Sequence, residues 1–281
     1  ADTLIYVHNL TTSIFSYRNI LNNKMEFGQI SLDNFSLNIN TYKDEEDYAL
    51  SIFADKFDDG KGDQKQSGFL LRSTHLKLNK GYVEIIDFNK ENDIPLFFKK
   101  IKGNAKNFKI EGPNVQVVIS KFSFIENHNI EVEKLSSIFS YSKTQMSFQE
   151  TVLETATSSI LTDILFTYKR EDFSDFNNLV NISANVKQAD VSLVDLKNFY
   201  SECGTNDVLH FSTVINGKLN DFVLNDLKLK TDKKAIINGD INFKKSWFHM
   251  VRHELKSIKK ISNIDINELI DSNFSQNWPD Y

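Results

Sequence analysis

Apolar residues recur at spacing two along nearly the whole chain, and the register slips by one residue at polar pairs. Between 25 and 39 the apolar positions are Met25 and Phe27, then Ile30 and Leu32, then Phe35, Leu37 and Ile39. Gly28-Gln29 and Asp33-Asn34 stand at the slips. Alternation of this kind marks a half-buried strand, and one extra residue turns every later side chain to the other face unless the backbone kinks. The pattern therefore predicts long strands whose apolar face is kept continuous by bulges. The opening stretch DTLIYVHNLTTSIFS (2 to 16) already reads as strand, without leader or cap, as expected of a piece of a longer chain.

Two phrases return. GNAKNFKI (103 to 110), ANVKQADVSL (184 to 193) and GKLNDFVLNDLKL (217 to 229) each read small, polar, apolar, two polar, then an alternating apolar pair. LETATSSILTDILF (153 to 166) matches LKTDKKAIINGDINF (229 to 243) with one residue inserted. Repeated strands bury their apolar face only by adding to one another, which favours an elongated sheet over a closed globule.

Two stretches break the alternation. In SLVDLKNFYSECG (192 to 204), Ser192 and Asp195 have capping-box spacing, Leu193, Leu196 and Tyr200 share a helical face, and Gly204 is a stop, which predicts a short helix near 193–202. From Ser246 onward Trp247, Val251, Leu255, Ile258 and Ile261 follow helical spacing, continued by DINELIDSNF (265 to 274). The expected division is a repeated-strand segment over 1–245 and a helical segment over 246–281. KFDDGKGDQKQSG (56 to 68) reads as a polar loop.

Composition changes the picture little. The 281 residues are 40% hydrophobic, enough for a large buried core, and 23 phenylalanines against 10 glycines and 3 prolines suit long strands. A net charge of −5 argues against a nucleic-acid partner. Cys203 is the only cysteine, so no disulfide can close within the chain and zinc sites of several cysteines are excluded. No run approaches the ~18 apolar residues of a membrane-spanning helix.

Candidate chemistry is sparse, and neither a cofactor nor a catalytic residue is expected. His249 and His253 have the i, i+4 spacing of a zinc pair, but Met250 stands where a metalloprotease carries its glutamate, so the polar face of a helix is the better reading. A calcium loop starting at Asp55 would put Phe57 at a ligand position and Gln66 where a bidentate glutamate belongs. Cys203 at a helix end lacks the environment that activates a thiol. Glu171, Asp172 and Asp175 suit a turn better than a glycosidase dyad. KKSWFHMVRHELKSIKK (244 to 260) fits an interfacial membrane helix and a docked helix alike.

The apolar face itself remains. Phe27, Ile30, Leu32, Phe35, Leu37, Phe108, Ile110, Phe222, Leu224, Leu227 and Leu229 are expected, from parity, to line one surface. That surface is either the core of an ordinary sheet or an open groove for lipid tails or unfolded strands.

DTLIYVHNLTTSIFS, NNKMEFGQISLDNFSLNINTYKDEEDYAL, FADKFDDGKGD and above all FTYKREDFSDFNNLVNISANV resemble the amino-proximal part of the TamB family in its Bacteroidota branch. TamB is the AsmA-like inner-membrane subunit of the translocation and assembly module. The resemblance runs from about residue 2 to 244 and does not extend to 246–281. It implies a periplasmic protein anchored in the inner membrane by a helix outside this stretch, with a long sheet curled into a half-pipe. It also implies phospholipid movement between the membranes and a BamA-like or TamA-like outer-membrane barrel partner. The expected fold is all-β: an elongated, curved, mostly antiparallel sheet with the short helix near 193–202 and a helical carboxyl end. The expected function is conduction of phospholipid acyl chains along the groove; the alternative is a scaffold for outer-membrane β-barrel assembly.

Overall fold

The computed structural model describes residues 3–14, 24–43, 70–89, 95–199 and 207–244. They form one open twelve-stranded sheet in chain order, β1 (Ile5–Ile14), β2 (Lys24–Thr41), β3 (Leu70–Asp87), β4 (Leu96–Glu111), β5 (Asn114–Glu126), β6 (Glu131–Tyr141), β7 (Gln145–Glu154), β8 (Ser159–Thr167), β9 (Asn181–Ser192), β10 (Val208–Lys218), β11 (Asp221–Thr231) and β12 (Ile236–Lys244). The sheet is not closed into a barrel, and strand accounts for 76% of the described residues, which leaves little to form a second layer. Every neighbouring pair is antiparallel except β2 and β3, which run parallel. The expected all-β, mostly antiparallel curved sheet is the observed one.

Slips in the sequence pattern become bulges, and each bulge leaves a carbonyl and an N–H out of the ladder. At Gly28-Gln29 the Gly28 carbonyl accepts from Thr74 Oγ1 of β3, and the Gln29 N–H donates to Ser13 Oγ of β1 at 2.8 Å. In β7 the Gln149 carbonyl accepts from Ser137 Oγ at 3.2 Å, and the Glu150 N–H donates to Asp163 Oδ1 at 2.7 Å. In β11 the Asn225 carbonyl accepts from Thr213 Oγ1 at 2.9 Å, and the Asp226 N–H donates to Asp240 Oδ1 at 2.8 Å. Glu150 and Asp226 have φ of 50° and 51°, the left-handed conformation of the bulge residue.

The last two sites are the same unit twice, and they explain the matching phrases, because Asp163 and Asp240 occupy equivalent places. The inserted residue of the second copy falls in the hairpin turn. Glu154 pairs with Ser159 across residues 155 to 158, whereas Lys230 pairs with Ile236 across residues 231 to 235. The other repeated phrase divides differently. Its polar pairs at Lys106-Asn107 and Lys187-Gln188 lie at register shifts, but Asn220 and Asp221 sit at the β10–β11 turn.

A second slip, at Asp33-Asn34, is matched in β3. Asn34 and Lys80 are both left-handed, with φ of 54° and 51°. The parallel β2–β3 register keeps a constant offset, from Lys24 opposite Leu70 to Thr41 opposite Asp87, so the two strands bend together.

The predicted helix near 193–202 is shorter than expected. A 3₁₀ turn (Arg170–Asp175) and α1 (Phe176–Leu179) precede β9, and α2 (Leu193–Leu196) follows it. Ser192 Oγ accepts from the Val194 N–H, but Asp195 does not close a capping box. Its carboxylate instead accepts from Thr155, Thr157 and Ser158 hydroxyls of the β7–β8 turn at 2.6, 2.8 and 2.6 Å. Burial pushes the Asp195 carboxyl up, but the three hydroxyl donors outweigh it and hold the group below the usual range. Tyr200, Cys203 and Gly204, the expected loop at 56–68, His249 and His253, and the expected helical segment 246–281 lie outside the described residues.

Side chains also tie the polar face. His210 of β10 bridges Asp190 of β9 at 2.6 Å and Asp232, just past β11, at 3.0 Å. These hydrogen bonds hold the imidazole above its usual range. A raised folded pKa gives stability that is fully present below about pH 6.5 and is lost as pH rises through the folded value. Urea unfolding of the wild type should therefore show a loss of roughly 0.5 kcal/mol between about pH 6 and pH 9, the size expected of an exposed pair. His210→Gln should abolish that slope, and an unchanged slope in the variant would place its origin elsewhere.

Candidate functional site

Register assigns every strand residue to one of two faces, because directly paired residues share a face. One face is apolar across all twelve strands, and its side chains fall into rows that cross the strands.

The central row runs Thr12, Ile30, Leu76, Ala105, Ile119 and Ser137, then Thr151, Thr162, Val186, Thr213, Leu227 and Gly239. It follows the bulges. Ala105, Ser137, Thr151, Thr162, Thr213 and Leu227 are all 5% exposed or less, so from β4 to β11 this row is a buried floor, while its ends at Thr12 and Gly239 are exposed. The hydroxyls of Ser137, Thr151, Thr162 and Thr213 already have partners. Ser137 and Thr213 donate to bulge carbonyls, Thr162 Oγ1 donates to the Asn185 carbonyl at 3.1 Å, and Ser137 and Thr151 bond each other at 2.8 Å. The floor thus mixes aliphatic side chains with a few small hydroxyls whose donors are already used within the sheet.

Larger side chains flank it. One row reads Leu32, Leu78, Gly103, Phe122, Leu135, Leu153, Ile160, Ala189, Phe211, Leu229 and Ile237. Across the floor run Phe27, Ser73 and Phe108, and further on Val117, Phe139, Phe148, Ile164, Ala184, Ile215, Leu224 and Ile241. Small residues make room for neighbouring rings: a Cβ on Gly81 would lie 2.2 Å from the Phe35 ring, and one on Gly103 would lie 2.4 Å from that of Phe122. Ser73, between Phe27 and Phe108, leaves a shallow hollow lined by all three. With about 4.8 Å between strands, the rows extend roughly 50 Å.

All eleven positions expected from parity lie on this face. Ile30 and Leu227 are in the floor row, Leu32 and Leu229 in one flank, and Phe27, Phe108 and Leu224 in the other. Ile110 and Phe222 lie one row beyond Phe108 and Leu224, while Phe35 and Leu37 lie beyond Leu32. They are not equivalent. Ile30, Phe35 and Leu227 are buried, and the other eight are partly exposed. The middle strands, with Phe139, Phe148, Ile164 and Phe211, carry the same face through the same alternation and complete what the eleven begin.

Cover is local. Near β8, Phe173 and Phe176 gather with Tyr168 and Phe166 at one end of the strands, ring centroids 4.5 to 6.1 Å apart. Burial pushes the Tyr168 hydroxyl well above its usual range, and that hydroxyl donates to the Ser142 carbonyl. At the other end Leu196 of α2 packs on Val186, Ala189 and Val191. Among the described residues nothing spans the face between these ends, and on β1 Ile5 and Leu10 are 49% and 60% exposed.

The acidic trio serves local structure. Asp172 Oδ2 accepts from the Lys169 N–H at 2.7 Å, the Asp175 carboxylate accepts from Asn178, and the Glu171 carbonyl accepts from Ser174 Oγ. Among the described residues no three His, Cys, Asp or Glu side chains converge as a metal site, and no helix is long and apolar enough to cross a membrane. No family model, curated protein or solved structure matches the chain.

Proposed function

We propose that this chain is a segment of a TamB-like, periplasm-spanning protein of envelope biogenesis. Its apolar groove conducts phospholipid acyl chains between the inner and outer membranes, with no catalytic step and no cofactor. The observation that carries this reading is the set of apolar rows crossing all twelve strands without a covering layer among the described residues. Acyl chains need apolar contact and no hydrogen-bond partner, and the Ser137, Thr162 and Thr213 hydroxyls already spend their protons on backbone carbonyls of the sheet. Shallow contact suits conduction, since a face that grips a tail tightly does not release it. In this reading an anchor helix outside the chain holds the protein in the inner membrane, and a BamA-like or TamA-like barrel receives it at the outer membrane.

A scaffold for barrel assembly is the second reading. β1 and β12 each have a neighbour on one side only among the described residues, and an unpaired edge can add a strand from a client.

Native mass spectrometry with lipid extraction separates the two. Protein purified without detergent from bacterial cells should carry phospholipid, and Leu224→Asp should lower its stoichiometry several-fold while the fold is retained. A lipid-free, well-folded wild type would reject conduction in favour of strand pairing.

A further inference from the structure

The opposite, polar face carries an uneven charge. Strand β4 alone holds Lys99, Lys100, Lys102, Lys106 and Lys109 against a single carboxylate, Glu111, in a chain whose net charge is −5. Lys109 is bound to Glu111 at 2.5 Å. Lys102 and Lys106 alternate with Gly103 and Ala105 of the apolar face and so point to the polar side with Asn104. Asn104 is paired with Lys77 of β3 on one side and Lys121 of β5 on the other. Four exposed lysines therefore ring one asparagine, with Lys77 and Lys121 about 10 Å apart across the strands. Their register partners are Ser31, Asn104, Ser123, His75 and Val118, none of them acidic, and among the described residues none of the four has an ion-pair partner.

We propose that this lysine ring docks the protein on a bilayer surface rich in anionic phospholipid headgroups. Three features favour that partner. The ring spans three neighbouring strands, β3, β4 and β5, and presents its charges side by side as an extended array. Its charges are lysines, compact cations suited to a diffuse array of phosphates, while the neighbouring arginine, Arg72, is held by Glu26 at 2.7 Å. Apolar groups also stand beside the charges on the same face. Lys106 is paired with Val118, which is paired with Ile138 at 40% exposure, and the Lys99 ammonium lies 4.1 Å from the centre of the Phe97 ring. Lysines whose stems lie along apolar side chains are the chemistry of a membrane interface.

This site is on the other face from the groove and stands independently of what the groove carries. The test is flotation of the full chain with phosphatidylcholine vesicles, with and without phosphatidylglycerol, for the wild type and for Lys102→Gln/Lys106→Gln/Lys121→Gln. The wild type should bind only the anionic vesicles and let go as salt rises. The triple variant should bind about a hundredfold more weakly, from roughly a factor of five per lysine. Leu224→Asp should bind like the wild type, which separates docking from groove loading. Equal binding to both vesicle types, or undiminished binding by the triple variant, overturns the proposal. Binding of polyglutamate or a single-stranded oligonucleotide, lost in the triple variant and without any anionic vesicle binding, overturns it in favour of a soluble polyanion.

Discussion

Leu227→Asp is expected to unfold the carboxyl-proximal strands, whereas Leu224→Asp, three residues earlier on the same face, is expected to leave a folded protein. Leu227 is 3% exposed and follows directly on the bulge residue Asp226, so a carboxylate there has neither water nor a donor. The cost is about 5 kcal/mol, comparable with the whole stability of many domains. Leu224 is partly exposed in the flanking row, where a carboxylate can reach water, and the cost is about 1 to 2 kcal/mol. Urea denaturation followed by circular dichroism measures both. If Leu227→Asp loses no more than Leu224→Asp, the buried floor described here does not exist.

Gly103→Val should be among the most damaging glycine substitutions in the strands. A Cβ at this position would lie 2.2 Å from the Lys121 carbonyl oxygen and 2.8 Å from Phe122 Cα, both backbone atoms of β5. No rotamer change relieves a clash with backbone, so β4 and β5 must separate, at a cost of about 3 kcal/mol. Gly239→Ala is the control. Gly239 has φ of +138°, which alanine adopts only under strain, but its Cβ would meet nothing within 4 Å, so the loss is about 1 kcal/mol. The test compares denaturation midpoints. Similar losses in the two variants would mean that the β4–β5 spacing relaxes freely.

Much of this architecture is legible in the alternation. Gly28-Gln29 and Asp33-Asn34 mark real departures from ladder pairing, and at the second Asn34 takes the left-handed backbone that asparagine tolerates. Lys80, Lys100 and Glu150 adopt the same left-handed conformation with no such signal, since there the neighbouring strands impose it. The parallel β2–β3 pair is equally silent, because a period of two looks the same in either direction. Candidate lining residues were legible as a face and not as depths. Parity assigns Leu224 and Leu227 alike, while the row of bulges decides which of them is covered. The lysine ring is illegible in the totals for another reason: the net charge sums over the chain and hides a strand with five lysines and one glutamate.

The row of bulges gives the sheet a crease. Bulges at Gly28-Gln29 in β2, Glu150 in β7 and Asp226 in β11 lie on one line that crosses the strands, and each bends its strand locally. A sheet so marked behaves like scored card. It hinges about the crease, where side chains already stand in for ladder bonds. The two flanks of apolar residues therefore meet at an angle along the floor, and that angle is set by a few hydroxyls and carboxylates on neighbouring strands.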